Sequence, residues 1–181
     1  MAAEMCIRDS HGTASLPLDG EFVAFDLETT GLSAQHDEIT EIGAVILRDG
    51  QVVDTFQAFV NPGRSIPQKI VDLTGITDAM VADAPPISQV LPEFLAFCGG
   101  RVLCAHNADF DVGFLTAAAE RLGLPFDPTY LDTLIFAQNL MPQLTNHKLD
   151  TVANALSLPD FNHHRASDDA LTCGYLYLRF A

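Results

Sequence analysis

The chain has 181 residues, 48% of them hydrophobic and 18% charged, a composition that excludes a disordered chain and suits one folded domain. No run of about 18 apolar residues is present to cross a membrane, and four cysteines without metal-binding or disulfide spacing favour a reducing, cytoplasmic setting. The net charge of −15 argues against a general nucleic-acid-coating module and leaves open an enzyme whose carboxylates hold metal ions.

Residues 1–20 show no sustained hydrophobic period, and we predict that they form a disordered leader. The run Met5–Ser10 resembles the translated end of a sequencing adapter, so part of this leader is interpreted as artefactual. From residue 21 onward, apolar runs rich in strand-forming residues predict three strands, and an Asp-Gly pair predicts a hairpin between the last two. These strands are expected at 22–25, ending in Asp26-Leu27-Glu28, at 39–47 and at 52–60.

Helices and one further strand alternate in the rest of the chain. Pro67 is expected to open a short helix that runs through Leu73, and Gly123 to close a helix over 109–122. Strands followed by alternating strand and helix predict an α/β domain over 21–181, with a mixed sheet and helices on its faces. The other elements expected are a buried strand at 102–105 and helices at 87–98, 133–140, 149–156 and 165–178.

Acidic residues cluster at the ends of predicted elements. Asp26 and Glu28 are two positions apart on a strand, so their side chains point to one face, about 6.6 Å apart along it. Asp109 and Asp111 lie in the first turn of a predicted helix, where an acid also complements the helix dipole, and spacing alone does not rank them. By itself, the first pair is as typical of an ordinary acidic strand end as of metal ligands. An acid in the first turn of a helix is more often part of an ordinary helix start than a ligand.

A third cluster, His163–Asp169, places two histidines just ahead of the last predicted helix and two acids in its first turn. Taken together, the three clusters supply oxygen ligands that suit Mg²⁺ or Mn²⁺, and the absence of cysteine ligands disfavours zinc. Two such ions about 3.5–4 Å apart can act on a phosphodiester. A neutral histidine can take a proton from the attacking water. The pattern therefore favours a phosphodiesterase.

Three segments resemble the exonuclease motifs of the DEDDh (DnaQ-like) family of 3′–5′ exonucleases: FDLETTGL (25–32), HNADFDVGFL (106–115) and HHRASDDALTCGYL (163–176). The intervening segments DEITEIGAV, LTGIT and NHKLDTVANAL match as well, so the resemblance covers 21–181. The sequence is most similar to the exonuclease domain of PolC-type DNA polymerase III, and next to the epsilon proofreading subunit.

The resemblance implies a ribonuclease H-like fold with a central mixed five-stranded sheet flanked by helices. It implies removal of nucleotides from DNA 3′ ends as 5′-monophosphates, with two divalent ions, Mg²⁺ or Mn²⁺. Asp109 and His163 fall outside the motif register. By position, the catalytic set consists of the general base His164 and the metal ligands Asp26 (expected to bridge both ions), Glu28, Asp111 and Asp169.

The resemblance also implies contacts to the terminal nucleotide. Two threonines are expected beside its 3′ end and a leucine against the last base. A phenylalanine and a histidine are expected to support the site or, alternatively, to fill the core. These five residues are Thr29, Thr30, Leu32, Phe110 and His106. His147 and Asp132 are interpreted as structural, the latter as a helix N-cap.

The expected partner is a single-stranded or frayed DNA 3′ end. A chain with few cations would bind such an end weakly, so delivery by a DNA polymerase catalytic subunit or domain is expected. No membrane partner is expected. Two alternatives stay open: a 3′–5′ exoribonuclease or oligoribonuclease-like enzyme, and a non-catalytic module that docks on a polymerase.

Overall fold

The structure, a computed structural model, describes residues 7–8, 20–159 and 165–181. In that part of the chain a mixed sheet forms the centre and helices cover both faces, as the sequence predicts. Five strands form the predicted sheet, and a two-residue strand adds to one edge. In spatial order they are β1 (Ile7–Arg8), β6 (Tyr130–Asp132), β5 (Val102–Ala105), β2 (Phe22–Thr29), β3 (Ile39–Arg48) and β4 (Gln51–Phe59).

The sheet is mixed because β2 pairs antiparallel with its neighbour on one side and parallel with its neighbour on the other. β2, β3 and β4 pair antiparallel, whereas β5 is parallel to both β2 and β6. The predicted hairpin joins β3 to β4, and its turn residues Asp49 and Gly50 have φ values of 50° and 77°. Two successive residues with positive φ suit a type I′ turn, which matches the twist of the strands. The pairing of β2 with β5 ends at Ala24.

The outer edge at β6 differs from the sequence prediction. β6 is not predicted, because three residues are too few to show an alternating pattern. β1 lies within the leader that is predicted to be disordered, yet Ile7 pairs with Leu131. Residues 7–8 of that leader thus form a short strand, which adds to the outer edge of the described sheet at β6. Residues 1–6 and 9–19 of that leader lie outside the described residues.

Helices occupy the predicted segments, with one addition. α2 (Asp78–Val81) is a single turn, too short to show a hydrophobic period, and it is not predicted. Gly123 ends α4 (Ala108–Leu122) with a φ of 66°, as expected for a glycine cap. None of the helices in the described ranges has the length and apolar character needed to cross a membrane. The helices are α1 (Gln68–Thr74), α2 (Asp78–Val81), α3 (Ile87–Cys98), α4 (Ala108–Leu122), α5 (Thr133–Leu140), α6 (Leu149–Ala155) and α7 (Ala166–Phe180).

Alternate residues of β2 face two different cores. Val23, Phe25 and Leu27 point into the larger core, which α3 and α4 cover. Phe22 and Ala24 point to the other face, where α7 packs. Because side chains in a strand alternate, the next two residues of this second face are acidic. The strand therefore runs from a buried core directly into a charged site under α7.

Candidate active site

Three carboxylates from two distant parts of the chain meet under α7. One carboxylate oxygen from each of Asp26, Glu28 and Asp169 lies within 4.8 Å of the others. Asp26 and Glu28 continue the face of β2 that packs against α7, and Asp169 lies in the first turn of that helix. These three predicted ligands are thus brought together, and each is only partly buried.

A glycine allows α7 to come this close to the sheet. Gly43 of β3 lies directly opposite Asp26. A Cβ atom built on Gly43 would lie 2.2 Å from backbone atoms of both Ala166 and Ser167. Any side chain at this position would push the first turn of α7 away from the sheet. The absence of a side chain at Gly43 therefore sets the distance between Asp169 and β2.

Asp111 reaches the same strand from α4. It is 3% exposed, and its Oδ1 atom accepts a hydrogen bond from the Leu27 amide at 3.2 Å. That amide lies past Ala24, where the pairing with β5 ends. Asp111 therefore contacts the backbone between Asp26 and Glu28, although it lies outside the group of three oxygens defined above.

The carboxylates raise one another's pKa values. Burial, followed by the charges of Asp111, Glu28 and Asp169, raises the pKa of Asp26 well above its ordinary value. Burial and the charge of Asp169 raise the pKa of Glu28 to about 8. Burial also raises the pKa of Asp111 to about 8, against the opposing effect of the Leu27 amide. Such a group favours bound protons or bound cations.

The donor set fits a hard divalent cation. Within the group defined above, every potential ligand atom is a carboxylate oxygen. Oxygen ligands are preferred by Mg²⁺ and Mn²⁺, whereas zinc sites use mainly imidazole and thiolate. A cation among these oxygens would also neutralise the mutual repulsion that raises their pKa values. The side chains present are therefore suited to divalent metal binding.

Asp132 supports the start of α4. Its carboxylate accepts hydrogen bonds from the amides of Asn107 and Ala108, both at 3.0 Å. It also accepts one from the Leu134 amide at 2.9 Å, so the predicted N-cap of α5 is confirmed. The hydrogen bonds to Asn107 and Ala108, which hold the turn that leads to Asp111, are not visible in the sequence. The two segments are too far apart in the chain.

His106 is held by two hydrogen bonds inside the protein. Its Nδ1 atom lies 2.9 Å from the Thr133 hydroxyl, and its Nε2 atom lies 2.7 Å from the His147 carbonyl oxygen. Burial lowers the pKa of His106. His147 in turn lies 2.9 Å through Nε2 from the Met141 carbonyl. Both histidines therefore tie loops together, and the two ring nitrogens of His106 are already engaged.

The expected substrate-side residues Thr29, Thr30 and Leu32 lie at the end of β2 and in the loop after it. The Thr29 hydroxyl donates to the Gly31 carbonyl at 2.6 Å. The Thr30 hydroxyl donates to Asp37 at 3.3 Å and accepts from the Glu38 amide, so both threonine hydroxyls are used within the loop. Leu32, by contrast, is 84% exposed. The same loop thus presents an apolar side chain to solvent.

Phe110 and Asp109 complete the first turn of α4. Phe110 is partly buried, and its ring centroid lies 5.0 Å from that of Phe114, so it contributes to the core. Asp109 accepts a hydrogen bond from the Tyr130 hydroxyl of β6 at 2.7 Å, whereas Asp111 accepts from the Leu27 amide of β2. Geometry therefore separates Asp109 from Asp111, which spacing alone does not.

His164 and His163 lie outside the described residues. Glu41 contacts the site but is not identified by the sequence prediction, whereas its partner Arg165 is visible in the sequence as a cation near the third cluster. Glu41 is fully buried on β3 opposite Glu28, and its Oε1 atom accepts from Arg165 Nη2 at 3.1 Å. An acid within the mostly apolar strand 39–47 is a signal that could have pointed to it.

Comparison with known proteins gives a consistent family. A family model described as "Exonuclease" (RNase T) matches residues 23–177. The PolC-type DNA polymerase III of Caldanaerobacter subterraneus subsp. tengcongensis is 49% identical over 168 residues, 93% of this chain and 12% of that protein. The corresponding protein of Clostridium perfringens is 49% identical over 152 residues, 84% of this chain and 10% of that protein. The chain thus spans a small part of these relatives.

Solved structures agree with the family match. Exonuclease X in complex with 5′-overhanging duplex DNA superposes with a TM-score of 0.71 at 30% identity, covering 88% of this chain and 90% of that chain. An E. coli exonuclease I complex with single-stranded DNA gives a TM-score of 0.76 at 17% identity, over 88% of this chain and 40% of that one. The predicted ribonuclease H-like fold is therefore confirmed.

Proposed function

The chain belongs to the DEDDh family of 3′–5′ exonucleases, and from this we propose that it removes nucleotides stepwise from DNA 3′ ends as 5′-monophosphates. The observation that carries the proposal is the convergence of Asp26, Glu28 and Asp169 within 4.8 Å on an exonuclease fold. The identity to PolC-type polymerases supports DNA as the substrate and a proofreading role.

Asp26, Glu28, Asp111 and Asp169 would hold the metal ions. When bound, two divalent cations would stabilise charge on the attacking and leaving oxygens of the phosphodiester. Asp26 would hold a cation together with Glu28 and Asp169, whose oxygens lie within 4.8 Å of its own. The Leu27 amide fixes the Asp111 carboxylate, so its orientation does not depend on a bound ion.

His164 would act as the general base. It stands five positions before Asp169 and directly before Arg165, the residue that caps α7. An imidazole, with an ordinary pKa of about 6.5, can accept a proton from the attacking water near neutral pH. This role rests on the motif register. Its test is His164→Ala, which should lower kcat by about a hundredfold or more and leave Mn²⁺ binding unchanged.

Leu32 would contact the last base of the substrate. The side chain is exposed, and the loop that carries it is held by hydrogen bonds of Thr30 with Asp37 and Glu38. Thr29 and Thr30 would shape the loop beside the 3′ end, because both hydroxyls and the Thr30 amide already bond within that loop. His106 would support the site indirectly, by holding Thr133 and the His147 loop in place, since both of its ring nitrogens are engaged there.

A polymerase is the proposed source of the substrate. A chain with a net charge of −15 repels the DNA backbone, so its intrinsic affinity for a strand end should be low. A polymerase that holds the primer terminus would raise the local concentration of that end. The PolC-type relatives are named as DNA polymerases, and this chain matches only 12% of the first one's length. A matching segment within a longer polymerase supports this arrangement.

The decisive experiment follows a 5′-labelled single-stranded DNA oligonucleotide incubated with the protein and Mg²⁺. The proposal requires a ladder that shortens from the 3′ end, release of 5′-monophosphates, and loss of both with Asp26→Ala. Equal degradation by wild type and variant would contradict it. An RNA oligonucleotide of the same sequence tests the sugar preference, and faster loss of RNA than of DNA would overturn the choice of DNA.

A further inference from the structure

Glu41 is a buried acid that the proposed chemistry does not use. It lies on β3 directly opposite Glu28, it is 0% exposed, and residues opposite each other in antiparallel strands share a face. A carboxylate is costly to bury unless it is paired and hydrogen-bonded. Its Oε1 atom accepts from Arg165 Nη2 at 3.1 Å and from Gln57 Nε2 at 2.9 Å. Glu41 therefore joins β3 to α7 and β4.

Arg165 connects this carboxylate to the site. Its guanidinium carbon lies 5.2 Å from the centre of the Phe59 ring of β4, so the side chain is held from two sides. Its backbone carbonyl accepts hydrogen bonds from the amides of Asp168 and Asp169, both at 3.0 Å. A residue fixed to the sheet by its side chain thus forms the first hydrogen bonds of the helix that carries Asp169.

The contact at Gly43 does not by itself set the position of α7. Gly43 lets the backbone of Ala166 and Ser167 lie on the strand, and buried side chains such as Cys173 and Tyr177 hold the body of α7 against the sheet, but neither contact joins the side chains of the first turn to the sheet. A directional hydrogen bond to a fully buried carboxylate supplies a restraint at the first turn itself. Gly43 thus allows the close approach of this turn, and the Glu41–Arg165 contact ties its first residue to β3.

We propose that Glu41 is a positioning residue that, through Arg165, holds the first turn of α7 so that Asp169 meets Asp26 and Glu28. This inference rests on the proposed function, because it assigns Glu41 a part in assembling the metal site. It predicts that loss of the contact weakens metal binding before it affects DNA binding.

The test measures Mn²⁺ binding by electron paramagnetic resonance, with the folded state followed by circular dichroism. Glu41→Ala and Arg165→Met should each weaken Mn²⁺ binding by about tenfold, as loss of a partner behind a metal ligand commonly does. Glu41→Gln should cost less than about threefold, since its amide oxygen still accepts from Arg165. The double variant Glu41→Gln/Arg165→Met leaves no unpaired charge, and it provides a folded protein if a single variant does not fold.

Gln57→Ala is the matched control, because it removes a hydrogen bond to the same Glu41 oxygen without removing a contact to α7. It should bind Mn²⁺ as wild type does. In the Glu41→Ala enzyme, kcat at low Mn²⁺ should fall and recover at high Mn²⁺, with KM for the oligonucleotide unchanged. If the Glu41–Arg165 pair only stabilised the fold, its loss would not make kcat depend on the Mn²⁺ concentration while leaving KM unchanged.

Two results would overturn the inference alone: Glu41→Ala, Arg165→Met and the double variant binding Mn²⁺ as tightly as wild type, or Gln57→Ala losing as much affinity as Glu41→Ala. A wild-type protein that binds no Mn²⁺ would overturn the proposed function and this inference together. The wild-type titration therefore separates the two failures.

Discussion

The two halves of β2 belong to one strand but have opposite chemistry. Residues 22–25 pair with β3, and residues 22–24 also pair with β5 on the other side. None of these four residues is more than 6% exposed. From Asp26 onward the partner β5 is gone, and two acids with raised pKa values follow on one face. The first half stabilises the fold by burial, and the second costs stability by holding like charges together.

The end of one strand pairing creates the site. Where β5 leaves β2, the Leu27 amide donates to Asp111 instead of to a neighbouring strand on that side. On the other side of β2, the register with β3 shifts between Glu28 and Thr29, an irregularity of the kind common next to active sites. A strand thus becomes chemically useful at the point where its regular hydrogen bonding stops.

Asp26→Asn tests the charged half most strongly. It should lower kcat by about a thousandfold, because a metal ligand is weakened and transition-state charge is left without its cations. Thermal stability without metal should hold or rise, since the change removes one of the repelling charges. Exonuclease assays and thermal unfolding measure both effects. Asp109→Asn, an acid that bonds Tyr130 instead, is the control and should keep nearly full activity.

Phe25→Ala tests the apolar half next to it. Phe25 is 0% exposed and packs its ring 5.9 Å from that of Phe94, so its loss should cost about 3–5 kcal/mol of unfolding free energy. Urea denaturation measures the loss, and Phe25→Leu should cost less because it keeps most of the volume. Activity per folded molecule should stay close to wild type. A large fall in kcat of the folded variant would show that the two halves are not separable.

The pH dependence of stability should distinguish the two halves without a mutation. Glu28 and Asp111 have ordinary pKa values of 4.5 and 3.8 and folded values of about 8, so the folded state holds protons that the unfolded chain has lost. Their contribution to stability is therefore complete at acid pH and disappears as the pH rises to about 8. The melting temperature of the metal-free protein should therefore fall steadily across this range.

Saturating Mg²⁺ should flatten this pH dependence, because bound cations replace the protons. Phe25→Leu should lower the whole curve without changing its slope. A metal-free melting temperature that does not fall between about pH 5 and 8 would contradict the raised pKa values.

Leu32→Ala gives the smallest expected effect. Leu32 is 84% exposed, so the unfolding free energy should change by less than about 0.5 kcal/mol. KM for a single-stranded end should rise by a few fold if the side chain contacts the last base. Steady-state kinetics on oligonucleotides measures this change, and the exposed Leu73 offers a control substitution elsewhere on the surface.

Sequence patterns predict most of this fold because its elements are long and regular. The hairpin at Asp49 and Gly50 and the glycine cap at Gly123 follow from local backbone preferences, and the structure confirms them. The missed elements, β1, β6 and α2, have two, three and four residues. Elements this short are determined by tertiary pairing rather than by a periodic pattern.

The site is predictable only in part. Spacing proposes Asp26 and Glu28, but only the motif register separates Asp111 from Asp109, and the structure shows the reason in the Leu27 and Tyr130 contacts. The Glu41–Arg165 pair joins residues 124 positions apart, a distance at which no local pattern carries information. Contacts of this kind follow from the completed sheet.

The carboxylate of Asp132 has a consequence for how the protein tolerates change. Its oxygens accept hydrogen bonds from amides in the turn before α4 and at the start of α5. The same side chain therefore holds both segments in place. Neither segment can shift without disturbing the other. Sequence changes around residues 131–134 should therefore be felt at Asp111 across the chain, and pairs of such changes should combine non-additively. A conservative substitution near Asp132, which is not a metal ligand, would then alter the metal site by moving Asp111.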